Sequence, residues 1–116
     1  MGNTILTNIN LLAVHMLDPI REDYGKPIEI KYGYRPPLKN ADAGGVPSSH
    51  HITGAAVDMF THEREGLKDI YHNIINKKYF EFWGECFLYM SKLDQKTPVF
   101  IHLSLGVENE TGLYYI

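Results

Sequence analysis

The chain carries a single cysteine, Cys86, among 116 residues. A lone thiol excludes an internal disulfide and any finger-type zinc site built on cysteines, so the fold must be held by its core and can form in a reducing compartment. Positive charge is not in surplus either. Eleven Lys and Arg stand against 14 Asp and Glu, a formal net charge of -3, which lacks the basic excess that a phosphate backbone requires. Nucleic acid is therefore not an expected partner. No apolar run reaches the length of a bilayer span, so no membrane span is expected. The opening MGNTILTNINLLAVHML has neither the basic leader nor the small-residue cleavage site of a signal peptide. The expectation is synthesis in the cytoplasm, with any delivery outward left to lysis or a carrier. Gly2 does not open a myristoylation signal, because Leu6 stands where Ser or Thr belongs.

What is present is an ordinary globular balance. Hydrophobic residues at 44% and charged residues at 22% fit neither a disordered nor a membrane class. The length suits one domain, residues 1–116, able to bury most of its unfolded surface without staples. Ile5, Ile9, Leu12, Met16 and Ile20 recur every three or four residues, which predicts a helix from about Thr4 to Tyr24. Pro19 interrupts that stripe, and Asp18 before it offers an N-cap, so a kink or restart is expected there. KPIEIKYGY alternates Ile28, Ile30 and Tyr32 against Glu29, Lys31 and Gly33, the period of a half-buried strand. Residues 36–49 are rich in Pro, Gly, Ala and Asn and read as a loop. GAAVDMF suits a strand, and Leu67, Ile70, Tyr71 and Ile74 place a helix over about Glu65 to Asn76. FEFWGECFLYM, TPVFIHLSL and TGLYYI then read as consecutive strands of an antiparallel sheet. The fold class is α+β, with helices packed on one mostly antiparallel sheet.

Polar, titratable groups stand out in GGVPSSHHITGAAVDMF, residues 44–60. His51 and Asp58 lie seven positions apart across Gly54, Ala55 and Ala56, spacing that lets a loop histidine fold back over the strand carrying the acid. In PVFIHLSL the alternation puts Phe100, His102 and Ser104 on one face, with His102 the polar centre of an apolar strand. Two imidazoles and one carboxylate on neighbouring strands make a three-ligand zinc site with an open fourth position, as in catalytic zinc centres. Spacing alone does not establish that they converge, and a single histidine in an apolar strand is most often a hydrogen-bonded core residue.

The segment SHHITGAAVD resembles the S-x-H-x-x-G-x-A-x-D signature of the zinc D-Ala-D-Ala carboxypeptidase and L-alanyl-D-glutamate peptidase family, peptidoglycan peptidases that share their fold with the hedgehog signalling domain. YGYRPPLKN is similar to that family's G-Y-R-S-x-x-x-N segment, and Gly44 and Gly45 recur before the histidine motif. FIHLS resembles the W-x-H-V-S strand, and LDPIREDYGKPIEI looks like the helix and first strand of short forms in phage lysins and bacterial cell-wall hydrolases. The resemblance covers about Leu17 to Ser104. It implies that His51, Asp58 and His102 hold Zn2+, that Arg35 polarises the scissile carbonyl and stabilises its oxyanion, and that Ser49 lines the substrate cleft. His50 occupies a variable position. The implied substrate is a peptidoglycan stem peptide, and the implied setting is the bacterial cell wall, reached through lysis or within a phage virion or tail assembly.

Three positions depart from the pattern. Several relatives carry an acid three residues before the last histidine ligand, where it serves as general base; here that residue is Val99. Glu85 is the preferred substitute and Asp94 the other candidate, since a strand residue is better fixed than one in a turn. Pro36 replaces the usual Ser after the Arg, and Tyr32 replaces a small residue before Gly33. Val99 also leaves room for a rival reading, a phage structural or binding module that keeps the fold and metal without turnover. The remaining groups have plainer roles: His15, His62 and His72 as solvated side chains, His62 near the site rim, Glu63 and Glu65 as acids at a helix start, Trp83, Phe80 and Phe82 as core, and Cys86 as a buried thiol.

Overall fold

The computed structural model describes residues 2–34, 50–77, 83–106 and 109–116. The apolar stripe forms one long helical run made of α1 (Gly2–Leu12), a π-helical turn (Ala13–Leu17) and α2 (Asp18–Tyr24). Pro19 explains the wide turn. It has no N–H for the carbonyl four residues back, and its ring crowds that carbonyl; the Asp18 N–H instead reaches five residues back to the Ala13 oxygen, the bonding of a π-bulge. The backbone stays helical through Leu17 and Asp18, and no side chain caps α2, so the expected restart capped by Asp18 does not occur. Gly25 closes α2 in the left-handed conformation at φ 74°, its N–H bonded to the Arg21 oxygen, a glycine C-cap.

Strands β1 (Ile28–Tyr32), β2 (Ala56–Thr61), β3 (Trp83–Met90), β4 (Pro98–Leu105) and β5 (Glu110–Tyr115) form one sheet in the order β1-β2-β4-β3-β5, and α3 (Gly66–Lys77) follows β2. All neighbours are antiparallel except β3 and β5. The parallel β5 corrects the expectation of three consecutive antiparallel strands. Both edges of β4 are occupied, by β2 and β3, and β5 takes the outer edge of β3. Leu105 at the end of β4 sits opposite Trp83 at the start of β3, which puts a short connection at the start of β3, and Asn109 donates to the Trp83 carbonyl at 2.6 Å.

The three helices cover one face of this sheet. Leu12, Met16 and Ile20 meet Leu67, Ile70, Tyr71 and Ile74 over Val57, Met59, Cys86, Leu88, Ile101 and Leu103, each such side chain contributing about 1.5–3 kcal/mol by its removal from water. Ile9, at the N-terminal end of the stripe, is exposed instead. Trp83 joins the core as expected, whereas Phe80 and Phe82 lie outside the described residues, as does the 36–49 loop. By the alternation of strands, Asp58, Phe60, Phe87, Phe100 and His102 are left for the opposite face.

Gly54 fixes how the histidine turn enters β2. It has φ +75°, and a Cβ there would meet the Ile5 carbonyl oxygen and Ile9 Cγ1, each at 3.0 Å. Gly54→Ala therefore combines a left-handed backbone with a backbone clash, and we expect it to lower stability by about 1–3 kcal/mol in urea or thermal unfolding. A loss under about 0.5 kcal/mol, the scale of a neutral surface change, would show that α1 gives way freely. Cys86 is fully buried, and burial pushes its thiol up to about 12. It is expected to resist a disulfide reagent in the native protein and react once the protein unfolds; fast native-state labelling would contradict this placement.

Candidate metal centre

The site is assembled by strand register. Asp58 lies directly opposite His102 in the antiparallel β2–β4 pair, so both side chains leave the sheet on the face away from the helices. His51 reaches them from a 3₁₀ turn, His50–Thr53, that leads into β2. That turn is tied down by Ala55 N–H to the His50 oxygen at 2.9 Å, Gly54 N–H to the His51 oxygen at 3.2 Å and the Asn8 amide of α1 to the Thr53 oxygen at 2.9 Å. One ligand-type atom from each of His51, Asp58 and His102 lies within 4.8 Å of the others.

The hydrogen-bond partners of the two imidazoles decide what that cluster is fit for. Nδ1 of His51 is 2.8 Å from the Gly33 carbonyl oxygen, which can only accept, so Nδ1 carries the proton and a neutral His51 turns the lone pair of Nε2 toward Asp58 Oδ1, 3.2 Å away. Nε2 of His102 is 3.0 Å from Glu85 Oε1 and Nδ1 is 3.1 Å from the same Asp58 oxygen, so the ring lies between two carboxylates, and a cation on the Asp58 side leaves the proton on Nε2. With the proton on each outer nitrogen, two lone pairs face one carboxylate oxygen. Such a set repels itself unless a proton or a cation sits among the three atoms. The two separations from the Asp58 oxygen, 3.2 and 3.1 Å, are close to the roughly 3.3 Å edge of a tetrahedral shell with metal–ligand bonds near 2.0–2.1 Å, and outer hydrogen bonds that fix the ligating nitrogen are the usual companions of metal-bound histidine.

Charge is tuned accordingly. Burial raises the Asp58 carboxyl, but His102 and His51, which as protonated rings donate to it and carry positive charge, outweigh burial and hold it below its usual value. Burial lowers His102, yet the Asp58 and Glu85 carboxylates raise it overall. Burial also raises Glu85, and His102 with His50 brings it below its usual value. Phe87, opposite His102 in β3, stacks on its ring at 5.8 Å and 16°, and the His51 ring meets the His102 ring edge-on at 5.2 Å.

The structure thus brings His51, Asp58 and His102 together with Glu85 beside them, while Arg35 and Ser49 lie outside the described residues. Asp94 is not part of the site. Its oxygens take Thr97 Oγ1 at 2.6 Å and the N–H groups of Lys96 and Thr97 at 2.9 and 3.0 Å, bonds that hold its carboxyl down at about 2. It belongs to the β3–β4 turn, and the turn end of β4 at Pro98 is itself roughly 13 Å along the strand from His102 at ~3.3 Å per residue. His62 lines a pocket with Tyr24, Lys26, Pro27 and Glu63. His15 and His72 are exposed, as expected. Glu63 and Glu65 lie in the turn just before α3, where Gly66 and Lys68 N–H groups bond their carbonyls. Sequence reasoning missed two parts: the Gly33 carbonyl, because a backbone acceptor has no residue signature, and the approach of His50 Nδ1 to 2.9 Å from Glu85 Oε1, at an angle that forms no hydrogen bond.

Among the described residues three donors come together, the number of protein ligands that catalytic zinc sites use, whereas structural sites use four. The chain belongs to the Peptidase M15 family, whose model matches residues 2–86. That span includes His51 and Asp58, and His102 follows it on β4. No curated protein matches the chain. Peptidases of this family are zinc enzymes, and the donor set together with the family supports a metallopeptidase. Among the described residues, no helix is long and apolar enough to cross a membrane.

Titration with a divalent transition metal such as zinc is expected to saturate at one ion per chain and to raise the melting temperature, by about 2.7 kcal/mol of stability at a hundredfold excess over Kd. His51→Ala, Asp58→Ala and His102→Ala should each weaken that binding by more than about a hundredfold, beyond the range of outer-shell changes. Unchanged affinity in any of them, measured by chelator competition, would remove that residue from the ligand set.

Proposed function

We propose that the chain is a zinc-dependent peptidase that hydrolyses a peptide bond in bacterial peptidoglycan stem peptides, as a D-Ala-D-Ala carboxypeptidase or an L-Ala-D-Glu endopeptidase. The observation that carries this reading is the approach of His51 Nε2 and His102 Nδ1 to one oxygen of Asp58, with the three ligand-type groups gathered within 4.8 Å, in a chain of the Peptidase M15 family. Zinc, when bound, supplies a Lewis acid that polarises a carbonyl and makes water a nucleophile near neutral pH.

The protein's own groups do the rest in this reading. Asp58 and the two histidines orient the ion. Arg35 places fixed positive charge where the carbonyl oxygen becomes negative, the largest single term in many acyl-transfer enzymes. Ser49, just ahead of the histidine turn, lines the cleft. The resemblance of LDPIREDYGKPIEI to short lysins favours a cell-wall lytic enzyme of phage or bacterial origin, acting through lysis or from a virion or tail assembly.

One observation favours a second reading. Val99 stands three residues before His102 and cannot take a proton, which suits a phage module that keeps fold and metal without turnover. A digest of purified muropeptides by the zinc-loaded protein, read by mass spectrometry, separates the two. The peptidase reading expects metal-dependent release of a terminal alanine or a cut between L-Ala and D-Glu, with His51→Ala reducing the rate more than about a hundredfold. Full activity in His51→Ala, or no product from protein shown to hold zinc, would defeat it, and the latter result would favour the module.

A further inference from the structure

Glu85 adjoins the metal centre, yet it stands on the wrong side of His102 to serve as the proton acceptor. The two ring nitrogens of an imidazole point away from each other. Nδ1 of His102 faces Asp58 at 3.1 Å, while Nε2 faces Glu85 Oε1 at 3.0 Å. An ion held by His51, Asp58 and His102 lies on the Nδ1 side, with the width of the ring between it and the Glu85 carboxylate.

The backbone is shaped to put Glu85 there. Trp83 pairs with Leu105 and Cys86 with Leu103, three steps along β3 against two along β4, which is a bulge at Gly84 and Glu85. A Cβ on Gly84 would come within 2.7 Å of the Leu105 carbonyl oxygen and 2.9 Å of Gly106 Cα, so the bulge needs glycine. Its effect is a change of phase: Trp83 joins Cys86 and Leu88 in the core, and Glu85 joins Phe87 on the face of His102. The Glu85 N–H, freed from the regular ladder, donates to Oγ of the fully buried Ser104 at 3.0 Å. Both ends of the residue are held, by Ser104 at the backbone and by His102 at the carboxylate.

We propose that Glu85 is a positioning residue for His102: its carboxylate accepts the Nε2–H, which selects the tautomer whose Nδ1 lone pair points at Asp58 and His51. This role rests on the metal-centre reading above. It strengthens cation binding by fixing ring orientation and ligand basicity, as carboxylates behind metal-bound histidines do, and it removes Glu85 from the role of general base.

The test uses zinc affinity by chelator competition in wild type, Glu85→Ala and Glu85→Gln, with 15N–1H spectra of the His102 ring in the zinc-loaded wild type. Positioning predicts an affinity loss of about 10–100-fold in Glu85→Ala, a smaller loss in Glu85→Gln, whose amide oxygen still accepts from Nε2–H, and a ring protonated at Nε2 with Nδ1 on the metal. Wild-type affinity in Glu85→Ala, or coordination through Nε2, overturns the proposal while leaving the metal centre in place. Should Glu85→Ala fail to fold, the wild-type spectrum decides by itself. A wild-type protein that binds no zinc overturns the metal centre and this role together.

Discussion

The register of β2 against β4 is the constraint on which the site depends. Asp58 sits opposite His102, flanked by the pairs Val57↔Leu103 and Met59↔Ile101, and those four apolar residues are all in the core. Because side chains alternate, a slip of β2 by one residue would turn Val57 and Met59 out of the core and carry Asp58 into it, away from His102. The hydrophobic effect on the helix side thereby fixes the polar geometry on the other. The same burial that stabilises the fold holds a carboxylate and an imidazole 3.1 Å apart.

Around that pair each histidine has an outer acceptor as well. The Gly33 carbonyl faces the outer nitrogen of His51 and the Glu85 carboxylate that of His102, while the inner nitrogens face an oxygen of Asp58. Their mutual repulsion is relieved by positive charge, and the raised His102 and lowered Asp58 show the direction of that demand. A cation meets the demand without a proton. This is the physical link between the family's zinc chemistry and the particular hydrogen bonds of this chain.

Two of the supports come from irregular backbone. The left-handed Gly54 lets the His50–Thr53 turn press against α1 and return into β2, while the bulge at Gly84 turns Glu85 toward His102. Both glycines stand where a side chain would strike a carbonyl oxygen. Precision at the centre therefore rests on close backbone contacts as much as on the ligands themselves.

The sequence by itself determined the helices, the strand segments, the inward Cys86 and Trp83, and the three ligand candidates, because apolar periodicity and the spacing of His51, Gly54 and Asp58 are local properties of the chain. It carried the α+β class and the family resemblance for the same reason. Tertiary structure alone decided the rest. β5 lies parallel on the outer edge of β3, a choice of edge that no local pattern records. The π-turn answers Pro19 inside a helix already anchored by Met16 and Ile20. The phase change at Gly84 breaks the alternation from which β3 would be read, so the facing of Glu85 was not legible, and the Gly33 acceptor is a backbone group common to every residue. Those features depend on what lies across the sheet, and cross-sheet contacts exist only after the chain has folded.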